Sequence, residues 1–353
     1  MRLGDIARES RGTYKGDKTD IPIVGLEHLV SGELKFSEYE LNTDNTFNRC
    51  FHKGQILFGR RRAYLKKAAV AEFDGICSGD ITVIEAIPGK VDERLLPFII
   101  QNDRLFDFAV SRSAGGLSPR VKWEHLADYE LELPSIEEQR VLAEKLWAAY
   151  ELKEAYKKMI AATDEMVKSQ FIEMFGENNT VSLCDVAHIT MGSSPDSEYY
   201  NENGEGLPFY QGKTEFGDMY IKPALTFCTK PVREADVNDI LMSVRAPVGA
   251  VNIAQEHCCI GRGLSAIRAK SEKMTPLFLY YALKIKEDDI AALGTGSTFK
   301  AINKDVVYSI QIPASTMNDQ QQFVAIAQQA DKSKFELRQA IDKIDKVMKS
   351  LLQ

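Results

Sequence analysis

The segment GGLSPRVKWEHLADYELELP, Gly115 to Pro134, is written again as GTGSTFKAINKDVVYSIQIP, Gly294 to Pro313. In both, a glycine-rich opening leads through a serine and a basic residue into an alternating apolar strand that stops at proline. A segment repeated half a chain apart means one structural unit made twice, and it constrains the fold more than any other feature. The rest of the chain follows suit. LGDIARESRG from Leu3 matches LCDVAHITMG from Leu183. GQILFGRRRAYLKKAAVAEFDGICSGDITVIEA resembles NDILMSVRAPVGAVNIAQEHCCIGRGLSAIRA, with Ile56 and Leu57 facing Ile240 and Leu241.

Each half closes on a long helical stretch. Leu142, Leu146, Ala149, Lys153, Tyr156, Ile160, Thr163, Val167 and Gln170 follow the alternating four-three spacing of a coiled-coil seam. The same spacing in the second half selects Phe323, Ala327, Ala330, Lys334, Leu337, Ile341, Ile344, Met348 and Leu351, with the lysine at the same place. Parallel pairing would set Lys153 against Lys334, where like charges repel, so an antiparallel pair is expected. It would place two globular domains at opposite ends of a rod, related by a pseudo-two-fold. About 35 helical residues span roughly 50 Å at 1.5 Å each.

The expected fold class is therefore α+β: two repeated domains, mainly sheet with helices, joined by two long helices. The boundaries read 1–135, 136–175, 176–314 and 315–353 for domain, helix, domain and helix. Strands are expected in IPIVGLEHL, GQILFG, AAVAEF, ITVIEAI and DYELELP, and helix through ERLLPFIIQNDRLFDFAVSR. The second half matches with LPFYQG, DILMSV, GAVNIA, LSAIRA and a helix through TPLFLYYALKIKEDDI.

Composition excludes several classes of function. No run approaches the ~18 apolar residues of a membrane span, and MRLGDIARES has no apolar signal region, so a cytoplasmic protein is expected. The six cysteines include no Cys-x-x-Cys and the five histidines do not cluster, so neither a zinc ribbon nor a redox motif is written here, and nothing in the sequence argues for a metal site. The thiols are expected reduced and mostly buried. A net charge of −7 is awkward for a nucleic-acid binder. Local distribution matters more than the total. FGRRRAYLKK gathers Arg60, Arg61, Arg62, Tyr64, Lys66 and Lys67, suited to phosphates and guanine edges because arginine bonds either through two donors.

The repeated loop offers Ser118, Arg120 and Lys122 in one copy and Ser297, Thr298, Lys300 and Lys304 in the other. Small residues let a backbone approach phosphates, and hydroxyls and cations bond them. In the second half only Arg245 of SVRAPVG answers the arginine cluster, and Arg262 of CIGRGLS is a further candidate. Two domains on one scaffold with different contact residues would read different sequences. GTGSTF lacks both the third glycine of a dinucleotide loop and the GK[ST] of a phosphate loop. No methyltransferase tetrapeptide or nuclease carboxylate cluster is present.

Carried by LGDIARESRG, ELELPSIEEQRVLAEKL, SLCDVAHITMG and GTGSTFKAINKDVVYSIQIP, the whole chain resembles the specificity subunit of type I restriction-modification enzymes. The resemblance implies two target-recognition domains, each reading half of a bipartite double-stranded DNA sequence, with the helical pair as spacer. It implies two modification subunits docked around the helices, carrying S-adenosylmethionine, with restriction subunits joining them. It implies no cofactor and no active site in this chain. It implies docking around Glu137, Glu138 and Gln139; the entry to the second helix, NDQQQFVAIAQQ, is a weak version of the same start and departs from the pattern. The rival readings are a single-chain enzyme with fused specificity, and a protein-binding scaffold of two sheet domains on a coiled-coil rod.

Overall fold

Residues 1–296 and 300–352 are described by the computed structural model. They form two compact units, Met1–Tyr156 with Gln339–Gln353, and Lys157–Arg338. The long helices α1 (Ile136–Phe175) and α2 (Met317–Leu351) each contribute a segment to both units.

In the first unit, strands β1 (Ala7–Glu9), β2 (Ile56–Gly59), β3 (Ala68–Val70) and β4 (Ile81–Ala86) form an antiparallel sheet in the order β1-β4-β2-β3. The second unit builds the same sheet from β5 (Ala187–Met191), β6 (Ile240–Ser243), β7 (Val251–Ile253) and β8 (Leu264–Ala269), in the order β5-β8-β6-β7. The registers agree. Ile56 faces Ile84 and Val70, while Ile240 faces Ile267 and Ile253. The central strands are buried on both faces and read as apolar runs rather than as alternation.

A second, smaller sheet lies beside each. Ile23–Val24 runs parallel to Gly75–Cys77, which Arg49–Phe51 joins antiparallel. The second copy repeats this with Leu207–Tyr210, Cys258–Ile260 and Glu234–Ala235, and adds two further strands. The expected strand IPIVGLEHL therefore shrinks to two residues. A 3₁₀ turn over Leu26–His28 ends it, where the Gly25 N–H donates to His28 Nδ1. The helix through ERLLPFIIQNDRLFDFAVSR is two helices, Leu96–Ile100 and Asp103–Ser111. Asn102 separates them, its side chain accepting from the Arg104 N–H. DYELELP forms no strand beyond a bridge at Glu130, whereas Gln311–Pro313 pairs with Thr180–Ser182.

In each unit one apolar core joins the main sheet to helices. Leu3, Ile56, Phe58, Phe98 and Phe106 pack with Ala143, Leu146 and Tyr150 of α1, and Met348 of α2 packs against them. In the second unit Phe171 and Phe175 of α1 meet Phe278 and Phe323, the last from α2. The seam lysines each find an aspartate on the other helix. Lys153 Nζ lies 2.7 Å from Asp345 in the first unit, and Lys334 Nζ lies 2.6 Å from Asp164 in the second. Lys334 is the repeat counterpart of Lys153, and Asp345 that of Asp164, so one ion pair is written twice. All six cysteines are free thiols, and four of them are buried.

The repeated loop has a register of its own. Ala114 bridges Arg120 and Thr295 bridges Ala301, which equates Gly115 with Gly296 rather than with the Gly294 that the sequence aligned to it. Backbone conformation decides it: Gly115 has φ +120° and its equivalent Gly296 has φ +122°, a region closed to other residues. Pro134 and Pro313 are consequently not equivalent.

Candidate nucleic-acid interface

Three loops meet at one end of the main sheet in each unit, joined by main-chain hydrogen bonds. In the first unit the Arg60 N–H donates to Asp80 O (2.9 Å), the Val121 N–H to Arg60 O (3.0 Å) and the Arg62 N–H to Pro119 O (2.8 Å). In the second, the Val244 N–H donates to Gly263 O (2.9 Å), the Ile302 N–H to Val244 O (3.0 Å) and the Ala246 N–H to Lys300 O (3.0 Å). The mesh thus equates Arg61 with Arg245, Asp80 with Gly263 and Arg120 with Ala301.

The side chains on this common frame differ. Asp80 lies between two arginines: Arg61 Nη1 is 3.3 Å from Oδ2 and Arg120 Nε is 2.7 Å from Oδ1. Arg61 also donates to Ser118 Oγ through Nε and Nη2, at 3.3 and 3.1 Å. Burial pushes the Asp80 carboxyl up, but Arg120 and Arg61 outweigh it and hold the group below its ordinary value. Arg62, in the left-handed region at φ 54°, caps the 3₁₀ turn Ala63–Leu65 and leaves its side chain exposed, as is Tyr64.

Lys66 and Lys67 face other tasks than those expected. Lys66 Nζ pairs with Asp103 at 2.7 Å, and Lys67 Nζ donates to Leu26 O at 2.7 Å, so both tie the 3₁₀ turn down. Lys122 is exposed and shares a depression with Arg60, Arg11, Arg49 and Trp123. Arg11 and Arg49 were not legible as a pair: both bond Glu9, across a sequence gap only the fold closes. Arg60 Nε is buried without a hydrogen-bond partner.

In the second unit Arg245, Arg262 and Lys300 come from three distant sequence positions onto one mesh, all exposed. No ion pair holds them among the described residues. Lys304 opens the helix Lys304–Ser309, its Nζ 4.9 Å from the Tyr308 ring centre. Ser297 and Thr298 lie outside the described residues.

The expected docking residues at the start of α1 divide. Glu137 is exposed, paired with Arg140 on its own helix. Glu138 caps the helix by accepting from the Ser135 N–H and hydroxyl. Gln139 is a correction: only 3% exposed, it accepts from the Asp92 N–H and donates to Pro134 O, so its amide pins the helix to the domain and is closed to a partner. The second helix start is no weaker in this respect. Gln320, fully buried, accepts from the Thr275 N–H and donates to Lys273 O and Ser315 O, while Thr316 and Asp319 form the cap.

Among the described residues no group of histidine, cysteine and carboxylate side chains could hold a metal ion. Among the same residues no helix is long and apolar enough to cross a membrane. A family model described as the type I restriction modification DNA specificity domain matches residues 1–161 and again 176–346. The chain belongs to this family. A specificity subunit recognises the DNA sequence for its enzyme and performs no catalysis itself.

Among relatives of this specificity subunit, the putative type I restriction enzyme MjaX specificity subunit of Methanocaldococcus jannaschii is 28% identical, covering 91% of this chain and 81% of its own. The EcoDI specificity subunit of Escherichia coli is 25% identical over 34% of this chain and 27% of its own. A solved chain described in terms of complex assembly and conformational transition of the type I restriction-modification system superposes with a TM-score of 0.63 at 26% identity, over 100% of this chain and 95% of that one. The S subunit from M. genitalium shares the fold, with a TM-score of 0.57 at 16% identity, over 100% and 95% of the two chains.

Proposed function

We propose that each unit is a target-recognition domain reading one half of a bipartite duplex sequence through its three-loop mesh. One observation carries the reading: the same main-chain frame presents a different set of cations in each copy, Arg60, Arg61, Arg62, Arg120 and Lys122 against Arg245, Arg262, Lys300 and Lys304. Base edges are read by side chains and phosphates mainly fix register, so one frame with two side-chain sets gives two half-sites.

The proposal extends to α1 and α2 as an antiparallel coiled coil, related by a pseudo-two-fold, that sets the gap between half-sites. The doubled ion pair, Lys153 with Asp345 and Lys334 with Asp164, supports it. Two modification subunits would dock around these helices and hold the S-adenosylmethionine, with restriction subunits joining the cytoplasmic complex. Partners that wrap the duplex would supply the non-specific attraction that a chain of net charge −7 does not.

The test is to map methylated adenine genome-wide after co-expressing the chain with its modification subunit. Wild type is compared with a variant in which Arg60, Arg61 and Arg62 are alanine, and with Arg245→Ala. A bipartite motif is expected, one half losing definition in the first variant and the other half in the second. Unchanged methylation in both would point to the rival reading, a protein-binding scaffold.

A further inference from the structure

Leu117 is 98% exposed, while the next most exposed large hydrophobic side chain among the described residues, Leu225, stands at 76%. A leucine so placed forfeits all the burial that its side chain ordinarily gains. Its surroundings are not those of a slack loop. Ala114 and Arg120 close the mouth of the turn with reciprocal N–H to carbonyl bonds of 3.0 and 2.9 Å. The Arg62 N–H grips Pro119 O, Arg61 holds the Ser118 hydroxyl, and Arg120 is fixed to Asp80. The tip is thus clamped on the side that follows it, and the frame holds an apolar group out in water.

The same loop cluster carries the arginines of the readout surface proposed above, and the inference rests on that reading. Cations beside an apolar tip suit a ligand with phosphates on its rim and an apolar group further in. A leucine side chain neither donates nor accepts a hydrogen bond. Of the groups that base pairs present in the major groove, the one it matches is the thymine 5-methyl. We propose that Leu117 is a specificity-determining residue that packs on the 5-methyl group of one thymine in the half-site read by the first domain.

The test uses the complex of this chain with its modification subunit. Leu117→Ala removes no packing contact, so the variant should fold and assemble as wild type does. Duplexes carrying the mapped motif are made with deoxyuridine in place of thymidine at each position in turn, which deletes a single methyl group. Wild-type complex should bind one such duplex about fourfold more weakly, the worth of one buried methyl. The Leu117→Ala complex should bind that duplex and its thymidine parent equally, and its methylation map should accept cytosine at the same position. The inference is overturned if Leu117→Ala keeps the wild-type motif and the uridine penalty. It is equally overturned if the variant weakens thymidine and uridine duplexes alike while wild type ignores the methyl, as for a wedge between base steps. A wild-type complex with no bipartite motif would bring down the readout surface itself and this assignment with it.

Discussion

Gln320 makes for the second long helix the bonds that Gln139, its counterpart in the repeat, makes for the first: each accepts from a main-chain N–H of its domain and donates to the carbonyl just before its helix cap. Each side chain is buried, so truncation strands the main-chain groups it bonds, two for Gln139 and three for Gln320. Gln139→Ala and Gln320→Ala should each cost about 1–3 kcal/mol, read as a lowered thermal midpoint of unfolding. Loss from one substitution with none from the other would separate the two pins.

Asp80→Asn should release Arg61 and Arg120. We expect tighter binding to random duplex with a steeper salt dependence, because two more cations reach phosphates, together with a blurred first half-site in the methylation map. The stabilisation from the Asp80 latch also has a definite sign in pH. Its folded pKa is below the unfolded value of about 3.9, so the contribution is full above that value and is lost as pH falls through the folded pKa. Acid unfolding of Asp80→Asn should lack this component.

His257 stands between Asp236, 2.6 Å from Nδ1, and Glu234, 2.8 Å from Nε2. Arg268 bonds the same Asp236 together with Asp239. The bond to Asp236 chiefly, burial opposing and Glu234 adding, raises the imidazole pKa above its ordinary value. Stabilisation is therefore full below about pH 6.5 and fades as pH rises through the folded pKa. His257→Gln should flatten the dependence of thermal stability on pH between about 6 and 9, as measured by calorimetry.

Lys153 is 14% exposed and its partner Asp345 39%. Asp345→Ala leaves a poorly solvated ammonium and should cost about 1–3 kcal/mol. Replacing the pair, Lys153→Met with Asp345→Leu, should be neutral or stabilising. Chemical unfolding of the three chains decides between a pair that merely avoids a penalty and one that adds stability.

The repeat, the two long helices and the arginine cluster were legible because each is local or periodic. The loop register was not. A glycine in sequence does not announce its φ, and Gly294 drew the alignment that belongs to Gly296. Asp80 escaped notice because its two arginines lie 19 and 40 residues away, and only the folded loops bring them together. The bonds of Lys66 and Lys67, read in sequence as part of the DNA-contacting cluster, were hidden for the same reason, their partners Asp103 and Leu26 being tertiary neighbours. Gln139 read as a surface group because a polar residue beside two glutamates gives no sign that its amide has two main-chain mates indoors.

The three bonds that knit each loop cluster run from main-chain nitrogen to main-chain oxygen, and none asks what side chain a residue bears. The frame is therefore indifferent to spelling. Arginine or valine, aspartate or glycine, arginine or alanine occupy its matched places without disturbing it. A chain built this way can acquire a new vocabulary one letter at a time, in one copy while the other stays constant, and remain folded at every step.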